Sequence, residues 1–241
     1  MLNSLSLFSG IGGIDKALEG YASPVAYCEI DPYCQAVLLS RMAEGLLPNA
    51  PIWENVSNFT GEKWRGIVDI IVGGFPCQDI SIAGDRKGLE GERSGLFFEI
   101  MRLAEEIKPK FLFLENTKGI LSKGGIQCLD EIAKRGYDAR WIVKSCKEVG
   151  SPQNRERWFC LAHSKGERLK KERQPLRETE TQPGFNSISE YEVPDKRKES
   201  PPPFCRVGDD IRFRVDRIKS LGNAVCVEQT REAFKELIGI K

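Results

Sequence analysis

The sequence predicts an α/β fold, a largely parallel sheet with helices on both faces, and three observations carry that reading. Short β-type apolar runs at residues 5–8, 25–30, 67–72, 111–114, 141–145 and 158–162 alternate with helical patterns, as βαβ units do. Between two of them Leu96, Ile100, Leu103, Ala104 and Ile107 fall on one face of a helix over residues 96–107. The chain has 241 residues, 40% of them hydrophobic, which suffices for one sizeable core and an appended lobe but is tight for two full domains.

In chain order, the first run leads into Phe8-Ser9-Gly10-Ile11-Gly12-Gly13, a glycine-rich turn before a helix starting near Ile14. The second run ends at Glu29-Ile30-Asp31. The third, residues 67–72, is continuously apolar and reads as a buried parallel strand. The helix over 96–107 stops at Pro109, and the fourth run follows at once. Gly150 and Pro152 separate the last two runs, and the earlier of these, coming after Gly136, is placed to pair as an antiparallel hairpin. Composition changes at Ser164. Residues 165–203 are mostly charged residues, Pro, Ser, Thr and Gln, the signature of a solvated, partly disordered insertion. Residues 225–238 return to helix with Val227, Phe234, Leu237 and Ile238 toward the core. The expected organisation is a main unit over 1–163, a region of different composition over 164–210, and a segment over 211–241 that returns to the first unit.

Charge excludes a global polyanion field: 36 Lys and Arg stand against 35 Asp and Glu, a net charge of +1, so any nucleic-acid site must be local. Eight cysteines and one histidine, His163, contain no CxxC pair, which argues against a zinc cluster, and a chain of this size needs no disulfide framework. No stretch approaches a membrane span and the N-terminus lacks a signal-peptide pattern. A metal-free cytoplasmic monomer is expected.

Two strand ends carry chemistry. Gly73-Gly74-Phe75-Pro76-Cys77-Gln78 follows the third run directly, which puts Cys77 on a strand-end loop, where open α/β sheets bind ligands. A cysteine there is a candidate nucleophile. Leu112-Phe113-Leu114-Glu115-Asn116-Thr117-Lys118-Gly119 repeats the arrangement and delivers the Glu115 carboxyl to the same sheet edge. On the neighbouring side, the glycine turn and Glu29 suit a ribose whose hydroxyls donate to a carboxylate. The turn is not GxGxxG, because Ile14 stands at the third glycine, which disfavours a dinucleotide and admits a nucleoside such as S-adenosylmethionine.

Together these strings resemble the DNA cytosine-5 methyltransferase family, in its short bacterial or phage form. Leu7 to Gly13 is similar to the family's cofactor loop, Gly73 to Gln78 to its nucleophile loop, and Glu115-Asn116 to its Glu-Asn motif, with Thr117 where Val is usual. Gln153-Asn154-Arg155-Glu156-Arg157 resembles its Gln-x-Arg-x-Arg element, and Arg214 to Arg217 with Leu221-Gly222-Asn223-Ala224-Val225 its C-terminal pair. The resemblance implies a Rossmann-like S-adenosylmethionine-dependent methyltransferase sheet with a small, poorly structured target-recognition insertion, acting on double-stranded DNA. It implies Cys77 as nucleophile, Glu115 as acid, and Arg157 supported by Arg155 at the base. It carries cofactor contacts onto Phe8, Gly10, Ile11, Gly12, Glu29, Ile30, Asn55, Val56, Pro76, Leu96, Asn223 and Ala224, with Asn55 where the family commonly has Asp. As a purely local feature, Asn223 also reads as a helix N-cap. The seven other cysteines and His163 are expected to have no catalytic role.

Cytosine chemistry agrees with the motif set. C5 is a poor nucleophile until a thiolate adds at C6, and the charge that builds on the ring calls for a protonated carboxyl at N3. A guanidinium suits the base oxygen O2 better than an ammonium does. The ring is reachable only if the base leaves the duplex, and residues 81–94, with three glycines, Arg86, Lys87 and Arg93, form a basic loop placed to help. Arg168, Lys170, Lys171, Arg173, Arg206, Arg212, Arg214, Arg217 and Lys219 suit phosphate contacts. Three alternatives remain open at this point: cytosine methylation in structured RNA with the same residues, a catalytically silent DNA-binding module, and a nicotinamide oxidoreductase.

Overall fold

The computed structural model describes residues 1–76, 95–122, 124–165, 216, 219–220 and 223–240. Seven strands form one sheet: β1 (Leu2–Leu7), β2 (Ala22–Cys28), β3 (Ile52–Trp53), β4 (Ile70–Gly74), β5 (Phe111–Thr117), β6 (Tyr137–Ser145) and β7 (Glu156–Ser164), in the order β3-β2-β1-β4-β5-β7-β6. The first five run parallel, and β7 pairs antiparallel with both β5 and β6. The expected α/β class and the closing hairpin are both found. The register between β4 and β5 sets Gly74 beside Glu115, so two of the sequence motifs end at the same height on neighbouring strands.

Alternation along the strands supplies two apolar faces, as a pleated strand requires. Ile71, Leu112, Leu114, Trp158 and Cys160 face one core with helices α3 (Gly95–Ile107) and α4 (Gly125–Lys134). Ile70, Val72, Phe113, Phe159 and Leu161 face the other, under α1 (Gly13–Ala17) and the C-terminal helix α5 (Val227–Ile238). Phe234 of α5 meets Phe113 edge-on at 5.1 Å, and Phe113 stacks on Phe159 at 6.0 Å. Fully burying a side chain of this kind contributes about 1.5–3 kcal/mol, so Phe234 and Leu237 are main anchors of the helix. A smaller cluster of Tyr27, Leu38 and Leu47 seats α2 (Pro32–Ala43), which Asp31 caps by accepting the Tyr33 N–H at 3.0 Å.

Several boundaries differ from expectation. The strand expected over 67–72 is β4 and starts at Ile70, because the residues before it form a turn that leaves Ile67 47% exposed. The C-terminal helix starts at Val227 with Cys226 as its N-cap, so Asn223 does not cap it. On that helix Val227 and Ile238 are half-buried, whereas Gln229, Thr230 and Ala233 are buried. The expectations for Cys77, residues 81–94 and residues 166–215 fall outside the described residues.

Candidate active site

The carboxyl ends of β1, β2, β4 and β5 border one cavity of about 910 Å³. At one end the chain leaves β1 through Phe8 and Gly10, both left-handed with φ of 53° and 54°. Such a φ is ordinary for glycine and strained for phenylalanine. The Ser9 hydroxyl donates to the Ser6 carbonyl at 3.0 Å, and the Gly12 N–H donates to the Ser9 carbonyl at 2.8 Å, which closes the turn. The buried Glu29 carboxylate accepts from the Gly10 N–H at 2.6 Å and from the Asp31 N–H at 2.8 Å. Each oxygen retains further acceptor capacity, and Glu29 lines the cavity.

Of the residues carried over by resemblance, Phe8, Gly10, Ile11, Glu29, Ile30, Asn55, Val56, Pro76, Leu96, Asn223 and Ala224 line this cavity together with Glu115 and Arg157. Gly12 does not. Its φ is 81°, and a Cβ there would sit 2.5 Å from a Leu47 methyl, so it serves the turn and the packing of α2. Ile30 is 70% exposed at the rim. The Asn55 carboxamide oxygen accepts the Ser57 N–H at 3.0 Å and caps the short 3-10 turn Val56–Asn58. Sequence reasoning missed Arg102, which lies on α3 and donates to the Val56 carbonyl at 3.0 Å and the Phe59 carbonyl at 3.1 Å. Glu99 and Glu106, one turn away on either side, hold its guanidinium. The i, i+3 and i, i+4 spacing of those acids was the readable signal.

At the other end Glu115 stands at the tip of β5, 8% exposed, with its carboxylate oxygen 2.9 Å from the Arg157 guanidinium on β7. Burial raises its pKa to about 7, and it does so against the opposing charges of Arg157 and Arg155. Desolvation therefore wins over a direct ion pair, and the protonated form of the acid comes within reach of neutral pH. Next to it, the Asn116 side chain donates to the Phe75 carbonyl at 2.9 Å and holds the chain two residues before Cys77. Lys118 reaches both oxygens of Glu156 at 2.9 Å and ties the turn after β5 to the first residue of β7.

Arg155 does not line the cavity. Its Nε and one terminal nitrogen are buried without a hydrogen-bond partner among the described residues, and burial together with the neighbouring Arg157 charge pulls its pKa down. Four of the other described thiols are held in the protonated, poorly nucleophilic form. Burial pushes Cys28 and Cys160 up to about 12 and also raises Cys34 and Cys146. Among the described residues no group of three His, Cys, Asp or Glu side chains is placed to hold a metal ion, and no helix is long and apolar enough to cross a membrane.

One cavity on the carboxyl edge of an α/β sheet thus joins a glycine turn at one end to a buried carboxyl with a raised pKa at the other. The sequence sharpens this: residues 2–202 match the family of C-5 cytosine-specific DNA methylases, and the chain belongs to that family. It is 32% identical over 238 residues to the Type II methyltransferase M.CviJI of Paramecium bursaria Chlorella virus IL3A, a match covering 97% of this chain and 59% of that protein. It is 35% identical over 165 residues to the Type II methyltransferase M.HhaI of Haemophilus parahaemolyticus, covering 66% of this chain and 48% of that one. The chain thus spans about half the length of these relatives. In fold it is similar to the S. pombe Dnmt2 methyltransferase, with a TM-score of 0.56, 24% identity, and coverage of 68% of this chain and 51% of that one.

Proposed function

We propose that this protein transfers a methyl group from S-adenosylmethionine to C5 of cytosine in double-stranded DNA, through a covalent bond between Cys77 and C6 of a base flipped out of the duplex. The observation that carries the reading is the buried Glu115 carboxyl, with a pKa of about 7, at the end of a cavity that begins at a glycine turn. An acid that is substantially protonated at neutral pH can give a proton to N3 as charge builds on the ring, which an ordinary glutamate cannot do efficiently.

The cavity fits the cofactor on grounds of shape and chemistry. Gly10 has open space where a Cβ would stand, and Glu29 presents a carboxylate where ribose hydroxyls would donate. Ile30, Val56 and Leu96 offer apolar surface for the adenine end. When bound, S-adenosylmethionine supplies an electrophilic methyl group. The chain's own residues do the rest. The Cys77 thiolate adds to C6, Glu115 protonates N3, and Arg157 orients the ring through O2 while balancing charge. Asn116 keeps the Phe75 carbonyl, and with it the approach to Cys77, in register with Glu115. Once C5 carries the methyl, solvent water takes the C5 proton, the C6–S bond breaks with its electron pair returning to Cys77 as thiolate, and N3 gives its proton back to the Glu115 carboxylate, which restores the aromatic base and both side chains. By sequence order, residues 164–210 are assigned to target choice, and residues 211–241 complete the catalytic unit. A flipped base is required because stacking hides the C5 and C6 faces.

The test is transfer of labelled methyl to unmethylated duplex DNA, with structured RNA and Cys77→Ser in parallel. Label recovered as 5-methylcytosine in DNA and lost in the variant is the expected result. Label in RNA alone would reassign the substrate, and label in neither would overturn the reading.

A further inference from the structure

We propose that Gln229 on the C-terminal helix is a positioning residue for the strand end that carries Arg155 and Arg157, an inference that rests on the function proposed above. Gln229 is fully buried, a costly place for a carboxamide unless its polar atoms are paired. All its principal valences are used on the β6–β7 hairpin. The amide nitrogen donates to the Lys144 carbonyl at 2.8 Å and to the Arg155 carbonyl at 2.8 Å, and the oxygen accepts from the Cys146 thiol at 3.2 Å. The orientation is fixed by chemistry, because two carbonyls can only accept and the thiol can donate.

Those two carbonyls flank the residue that meets Glu115. Lys144 is the cross-strand partner of Arg157, and Arg155 lies two residues before it. One side chain thus bridges both strands of the hairpin at the rung where the Arg157 side chain leaves toward the cavity. The Arg155 carbonyl also accepts the Cys146 N–H at 3.1 Å, so the strand end is gripped from the helix and from the opposite strand.

Gln229 is not needed to dock the helix. Ala233, Phe234 and Leu237 bury it against the sheet, Arg231 donates to the Lys16 and Ala17 carbonyls at 2.9 Å each, and Glu236 pairs with Lys144 at 2.8 Å. Losing the Gln229 amide should therefore leave α5 in place and free the hairpin end locally. A displacement of about 1 Å of a group that must meet a reacting base is enough to lower turnover about a hundredfold.

The test compares Gln229→Met, which keeps length and volume, with Cys146→Ala, which removes the thiol but leaves both carbonyl bonds. Hydrogen exchange reads the position directly: in Gln229→Met the Cys146 amide should exchange about tenfold or more faster while amides of β1 and β4 are unchanged. Turnover on DNA should fall about tenfold or more with the dissociation constant for S-adenosylhomocysteine within about threefold of the parent, and Cys146→Ala should stay near the parent in both. In an Arg157→Lys background, Gln229→Met should cost less than about threefold further, because the residue it acts through is already impaired. Unchanged Cys146 exchange, uniform acceleration across the sheet, an equal loss in Cys146→Ala, or costs that multiply in the double variant would each overturn the proposal. If the parent transfers no methyl group to DNA or RNA, the functional reading falls, and the exchange measurement still decides whether Gln229 holds the hairpin.

Discussion

The two ends of the cavity are assembled in opposite ways. At the glycine-turn end the bonds that shape the turn are of short sequence range: the Gly10 N–H to Glu29, 19 residues away, and the Arg41 guanidinium to the Ile11 carbonyl, 30 residues away. At the Glu115 end the bonds run from Asn116 to Phe75 across 41 residues, from Gln229 to Arg155 across 74 and from Gln229 to Lys144 across 85. The glycine turn is a local βαβ product, to which the C-terminal segment adds the contacts Lys219–Asp31 and Ser220–Cys34. The other end is a convergence of the chain's middle and its last helix, and it therefore depends on packing that is complete only when α5 is in place. The difference teaches where damage should spread: lesions at the first end should weaken cofactor binding, and lesions at the second should slow chemistry with the cofactor still bound.

The strongest test of that division is Cys77→Ser, expected to lower methyl transfer by about 10³-fold or more with cofactor affinity within about threefold. Comparable losses of both would erase the distinction. Glu115→Gln comes next, at about 10²–10³-fold in turnover with DNA still bound. In the parent, turnover should fall as pH rises through about 7, since the protonated acid is the working form, and the Gln variant should lack that limb. Glu29→Ala probes the opposite end: calorimetry should show cofactor affinity reduced about 10–100-fold, while turnover at saturating cofactor changes much less. Gly74→Ala sharpens the boundary between the ends, because its Cβ would lie 2.8 Å from a Glu115 oxygen. It should reduce turnover about tenfold and leave cofactor affinity unchanged.

The smallest effect concerns stability. Asp15, a buried residue of α1, accepts from the Ser6 hydroxyl at 3.0 Å and has its pKa raised by burial from 3.8 to about 7. The folded state therefore holds a proton that the unfolded state releases between about pH 4 and 7, so stability is greatest on the acid side of that window and declines as pH rises through it. Asp15→Asn keeps an acceptor for Ser6 and removes the charge. Its melting temperature should exceed the parent's more at pH 8 than at pH 5, and an equal difference at both would refute the assignment.

Much of this was legible in the residues. Continuous apolar runs marked the central strands because both faces of β4 and β5 are covered, and the face of α3 followed from spacing alone. The glycine turn, Glu29 and Glu115 could be read because each is placed by its own strand end. Strand β3, two residues long, carries no periodicity to detect, and the late start of β4 reflects a turn that apolar content cannot reveal. Arg102 and Gln229 were missed because polar residues are read as solvated unless a partner is known. Gln229 did leave a trace, since it falls on the same helical stripe as Ala233 and Leu237, where a polar residue is out of place.

The sequence by itself determined the α/β class, the strand-end motifs and the chemical types gathered there, because those follow from side-chain periodicity and from local turn geometry. Tertiary structure alone decided that burial raises the Glu115 pKa, that Gly12 serves packing while Gly10 borders the cavity, and that the last helix grips the Arg155–Arg157 strand end. Burial, charge pairing and buried hydrogen bonds depend on which distant segments share a volume, and only the folded chain brings those segments together.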